Sequence, residues 1–139
     1  QVHEAKALGA DLILLIAACL SREEVLRFST LARSLGLEVL LELHDEDELG
    51  HVCETIDLVG INNRSLKTFD VNIARSLRMA GQLPKDKLKV AESGIDDPAQ
   101  VKLFRENGYS AFLIGENFMK TNDPGIALHE FRNQIELLG

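Results

Sequence analysis

Along the chain, short and nearly continuous apolar runs alternate with longer stretches in which apolar residues recur at spacings of three and four. A short run without polar alternation suits a strand covered on both faces, whereas the three-four spacing draws one apolar stripe along a helix. Five runs read as strands: Leu12 to Ala18, Glu38 to His44, Leu58 to Asn62, Leu88 to Glu92 and Ala111 to Gly115. They follow one another every 20 to 30 residues, which leaves room for a connecting helix each time. The pattern therefore predicts an α/β protein of repeated βα units on a parallel sheet.

The helices are marked by their ends. Ser21 is placed to cap a helix running to Leu35, with Glu24 completing a capping box and Gly36 ending it. Within it Val25, Leu26, Phe28, Leu31, Ala32 and Leu35 form the stripe that would lie on the sheet. Asp96 or Asp97 with Pro98 opens a helix that runs to Asn107 and stops at Gly108, and Asp123, Pro124 and Gly125 open the last one. A helix from Val2 to Leu8, ended by Gly9, precedes the first strand. No low-complexity tract or Gly/Ser linker interrupts the pattern, so residues 1–139 read as a single domain. Strand spacing alone fits an open doubly wound sheet and a barrel equally well.

Composition narrows the function classes. The 139 residues, 45% hydrophobic, suffice for a real core. The net charge is −7, with 15 basic residues scattered among 22 acidic ones, which argues against a nucleic-acid surface. No apolar run approaches the roughly 20 residues needed to cross a bilayer, and the start has no signal-peptide pattern, so no membrane association and a cytoplasmic location are expected. Cys19 and Cys53 lie far apart without a second Cys or His at ligand spacing, and read as reduced, buried thiols with no metal. The acidic run Asp45 to Glu48 reads as a helix N-terminus, His3, His51 and His129 as surface residues, His44 as a loop or supporting group, and Phe104 and Phe112 as core.

In parallel sheets functional groups gather at the carboxyl ends of the strands. In the second strand Val39, Leu41 and Leu43 share one face while Leu40 and Glu42 point the other way, so a barrel would turn Glu42 inward. Burial there raises a carboxyl's pKa toward the range useful for acid-base work, unless a cation from a neighbouring strand pairs with it. Leu58, Gly60 and Asn62 share a face in the third strand, which makes Asn62 an inward neighbour of Glu42, either orienting a ligand or capping its loop. Arg64 is suited to hold that loop through carbonyls or Asp70. Glu92 ends the fourth strand, and Ser93 and Gly94 after it let backbone approach a ligand. After the fifth strand, Gly115 and Glu116 lead into a short helix at Asn117, Phe118 and Met119. Two small-residue turns at the ends of consecutive strands are the pattern of a barrel phosphate site.

The segments LLIAA, LLELHDEDEL, GINNRSLKTF, VAESGI and AFLIGENFM, in that order, resemble the indole-3-glycerol-phosphate synthase family over essentially the whole chain. The resemblance implies a TIM (β/α)8 barrel, here a partial one of about five βα units corresponding to strands four to eight. It also implies ring closure of 1-(2-carboxyphenylamino)-1-deoxyribulose 5-phosphate, with loss of carbon dioxide and water, in tryptophan biosynthesis. Glu42 and Asn62 are then the catalytic residues, one the acid-base carboxylate and the other orienting the substrate. Glu92 and Ser93 line the substrate pocket; Gly94, Gly115 and Glu116 form the phosphate turns, Glu116 through its main-chain amide because its carboxylate would repel phosphate. The implied partner is a sugar phosphate, with no metal or organic cofactor. One departure is large: the family's essential lysine belongs to the first three strands, which are absent here, and a whole barrel takes about 250 residues. Together with an opening on Gln1 directly in a helix, this leads us to expect an inactive fragment of a longer enzyme. Self-association through exposed sheet edges, or fusion to another tryptophan-pathway enzyme, is the expected assembly. The competing readings are another phosphate-binding barrel, such as a phosphoribosylanthranilate isomerase or a tryptophan synthase α-like lyase, and a noncatalytic half-barrel assembly module.

Overall fold

The apolar runs become the strands of one parallel sheet, because a strand with helices against one face and neighbours on both sides has few positions for polar residues. The computed structural model of the chain describes residues 1–65 and 69–138. Leu66, Lys67 and Thr68 of the GINNRSLKTF segment thus lie outside the described residues. The strands are β1 (Leu12–Ile16), β2 (Glu38–Leu43), β3 (Leu58–Asn62), β4 (Leu88–Glu92) and β5 (Ala111–Leu113). They lie side by side in chain order, every pair parallel. The helices are α1 (Val2–Ala7), α2 (Arg22–Ser34), α3 (Ile73–Ala80), α4 (Pro98–Glu106), α5 (Glu116–Met119) and α6 (Pro124–Leu137). Between β2 and β3 the link is only a 3-10 helix, Glu46–His51, which starts in the acidic run.

Local chemistry sets these boundaries. Ser21 Oγ accepts from the Glu24 amide at 3.2 Å while Glu24 Oε2 accepts from the Ser21 amide at 2.8 Å, the reciprocal pair of a capping box. Those hydrogen bonds, the main-chain one first, hold the Glu24 carboxyl below the usual range. Asp97 caps α4 in the same way, with Pro98 in its first turn. Three strands end earlier than the sequence suggests. β1 gives way after Ile16 to a 3-10 turn, Ala17–Cys19; β2 stops at Leu43, because the His44 amide donates to Glu48 Oε2 instead of to a strand; and β5 stops at Leu113, opposite Glu92, where β4 itself ends. Cys19 is exposed and Cys53 half-buried, which corrects the expectation of two buried thiols. The segment carrying Cys19 follows an edge strand that has a neighbour on one side only.

The two faces of the sheet differ. Val39, Leu41, Leu43, Val59, Ile61 and Ala91 pack with Val25, Ala32, Met79, Val101 and Phe104 of the helices in one core. On the opposite face the register aligns Leu14 with Leu40, Glu42 with Gly60 and Val90, and Asn62 with Glu92. Leu40 and Val90 are buried there, but Leu14, Leu88 and Leu113 toward the edges are about half exposed. Phe104 is fully buried and Phe112 packs against the core beside it. No helix among the described residues is long and apolar enough to cross a membrane.

Candidate active site

Glu42 and Glu92 sit on the second face at the carboxyl ends of β2 and β4, separated by β3. The residue of β3 between them is Gly60, and a Cβ there would overlap the Glu92 carboxylate. The missing side chain is what lets Glu92 lie across the strand toward Glu42. Both acids are buried, at 4% and 8% exposure, and two carboxylates this close cannot both ionise cheaply. Burial first, and then the hydrogen bond and charge of Glu42, push the Glu92 carboxyl up to about 8. Glu92 Oε1 has no hydrogen-bond partner among the described residues, and a protonated Glu92 carboxyl can donate to Glu42.

The end of β3 is locked from several directions. Asn62 Oδ1 accepts from the Arg64 amide at 3.0 Å, so Asn62 caps its loop and also lines the cleft described below. Asn63 is fully buried. Its amide donates to the Glu92 carbonyl at 2.8 Å and its Nδ2 to the Ser93 carbonyl at 2.7 Å, tying the β3 loop to the turn after β4. Arg75 of α3 donates to the carbonyls of Asn62 and Asn63 at 3.2 and 3.3 Å. Asn63 and Arg75 were not singled out from the sequence; Asn63 resembles an ordinary loop residue, and only Asn72, which caps α3, marks the element that carries Arg75. His51 is half-buried, with ring nitrogens 3.0 and 3.1 Å from the carbonyls of Glu48 and Leu20, so it is a loop tie where a surface residue was expected.

Two turns complete the wall. Ser93 and Gly94 have φ of 63° and 65°, both left-handed. A side chain at 94 would also strike Val71, so glycine is required there twice over. Gly115 opens α5, and nothing lies within 4 Å of where its Cβ would be, which leaves that side open. The Glu116 carboxylate, the discordant charge at such a turn, is paired with Arg64 Nη2 at 2.5 Å.

Glu42, Asn62, Glu92, Ser93, Gly94, Gly115 and Glu116 all line one cleft of about 1130 Å³. Its buried end holds the acidic pair; its open end carries Arg64 and Lys120 together with Asp96 and Glu116. A buried acidic end that opens onto charges of both signs suits a small polar molecule. Among the described residues no cluster of His, Cys, Asp and Glu is arranged to hold a metal ion.

A family model described as indole-3-glycerol phosphate synthase matches residues 1–131. The chain belongs to that family. It is 50% identical over 136 residues to the indole-3-glycerol phosphate synthase of Bacteroides thetaiotaomicron, covering 98% of this chain and 52% of that protein. With the synthase of Verminephrobacter eiseniae it shares 51% over 131 residues, 92% of this chain and 49% of the relative. The chain thus spans about half the length of the curated relatives it matches. Among solved structures, a mutant tryptophan synthase α-subunit from Pyrococcus furiosus superposes with a TM-score of 0.71 at 16% identity, covering 96% of this chain and 58% of that one. A second structure of the α-subunit from the same organism gives 0.69 at 17% identity, covering 97% and 57%. At that identity the likeness is one of fold, a partial (β/α)8 barrel.

Proposed function

We propose that this chain supplies the C-terminal part, strands four to eight, of an indole-3-glycerol-phosphate synthase, and that turnover requires three further βα units. The reaction is attack of the substrate's anthranilate ring on its carbonyl carbon, followed by loss of carbon dioxide and water. Closing the ring needs a proton delivered to the carbonyl oxygen and a base to take a proton when the aromatic system is restored. Glu42 is the acid-base carboxylate, Asn62 orients the substrate, and Glu92 and Ser93 line the reacting end of the pocket. Gly94, Gly115 and the main chain of Glu116 receive the phosphate. The observation that carries this reading is the one cleft that all seven residues line, with the acidic pair at its buried end.

The assignment fits the cytoplasm, where a free sugar phosphate is met. The family match favours the synthase over the isomerase and α-subunit alternatives, and the α-subunit likeness rests on shape alone. The assembly module keeps one specific support, the open second face, and we propose self-association through it for the chain by itself.

The test of the enzymatic reading is Glu42→Gln in the full-length protein. Turnover is expected to fall about 10²- to 10⁴-fold, the range for a removed general acid or base, with substrate affinity retained. An unchanged rate removes Glu42 from the mechanism.

A further inference from the structure

Beside Glu42 lies a buried imidazole that nothing above has assigned. His44 follows directly on β2, and its side chain is 5% exposed. Its Nε2 is 3.1 Å from Glu42 Oε1, off the line of a hydrogen bond, and its Nδ1 is 4.0 Å from Glu48 Oε2. Neither ring nitrogen has an aligned partner among the described residues. The His44 amide donates to the same Glu48 carboxylate at 2.6 Å, so the main chain fixes where the ring begins. Among the described residues, the charged groups that face the ring are Glu42 on its own strand and Glu48 in the 3-10 turn. Arg75 from α3 is already engaged by Asp45 Oδ1 at 3.9 Å and by two carbonyls.

An ionised carboxylate only accepts hydrogen bonds. Across 3.1 Å a hydrogen on the ring nitrogen attracts that carboxylate, whereas a lone pair there is repelled by it. We infer that His44 is the positioning residue of the acidic pair: it carries a proton on Nε2 and, with the ring turned onto Glu42 Oε1, fixes the Glu42 carboxylate beside Glu92. His44 does not line the cleft. It touches no substrate and acts through Glu42 alone, which separates it from a binding residue. The kinetic consequence rests on the function proposed above; the contact itself does not.

The test uses the full-length protein. His44→Leu is expected to lower kcat about 10- to 100-fold, the range for a residue that orients an active-site ligand, with KM little changed. His44→Gln, which returns an N–H donor near the same point, is expected to recover most of the loss. A Leu variant with parental kcat, a defect confined to KM, or a Gln variant as impaired as Leu overturns the inference. On the parent, ¹⁵N-edited spectra of the imidazole should show a proton on Nε2. A neutral ring protonated only at Nδ1 overturns it even if the variants fail to fold. If the parent makes no indole product the functional reading fails, while the spectrum still decides the contact.

Discussion

Glu92 is held away from water beside a second acid, so its proton belongs to the folded state. Its pKa is raised to about 8 in the fold, whereas the unfolded chain releases the same proton near the ordinary value of about 4.3. Between those two pH values the folded form binds one more proton than the unfolded form, and stability falls as pH rises, levelling off above 8. Glu92→Gln imitates the protonated acid without titrating. The stability of the variant relative to the parent is therefore expected to increase from pH 5 to pH 8; unfolding midpoints measured across that interval check it, and a difference flat with pH contradicts it. Side-chain parity made part of this site legible, since a period of two puts Leu40 with Glu42 and Gly60 with Asn62. The meeting of Glu42 and Glu92 was not legible, because it depends on a gap in the strand between them. Nor was the partner of the Arg64 side chain, expected to hold its own loop and found on Glu116 some fifty residues later.

The turn after β4 shows how elements are joined at the site. Ser93 and Gly94 are left-handed, Val71 of the β3 loop fills the space where a side chain at 94 would go, and Arg64 and Val71 form an antiparallel bridge. In the full-length protein, Gly94→Ala is expected to lose about 1–2 kcal/mol from backbone conformation alone, more from the clash with Val71, and to raise KM for the phosphorylated substrate proposed above. Adding Val71→Ala should return the steric part only. Denaturant titration and steady-state kinetics of the single and double variants measure both parts; an unaltered midpoint and KM in Gly94→Ala would show that the turn tolerates a side chain. Helix starts were readable because caps are short-range chemistry: Ser21 with Glu24, Asp97 with Pro98, and Asp123, which accepts from the Ile126 amide at 3.0 Å. Strand ends were less readable, because they depend on contacts the run of residues does not show: the His44 amide turns to Glu48, and β5 stops where β4 does.

Across the whole molecule the sheet is finished on one face only. Leu14, Leu88 and Leu113 lie about half exposed on the other face, and a second, mostly apolar cleft of about 470 Å³ runs along β1 between α1 and α2. Exposed patches of this kind drive association, and unpaired edges template it. The chain by itself is expected to bind a hydrophobic dye and to sediment with a concentration-dependent mass; a monodisperse monomer that binds no dye contradicts this. Parallel βα architecture was visible in the sequence from the alternation of runs, but neither the lateral order of strands nor the lopsided cover of the sheet was, since both arise from contacts between distant segments. The order itself has a consequence. Among the described residues every strand pairs only with the strands that precede and follow it in the chain, so the sheet is a ladder climbed one rung at a time, and a division between rungs leaves intact rungs on either side. Five consecutive rungs can for that reason carry both acids, the amide and both turns in register, ready to be completed by whatever supplies the remaining ones.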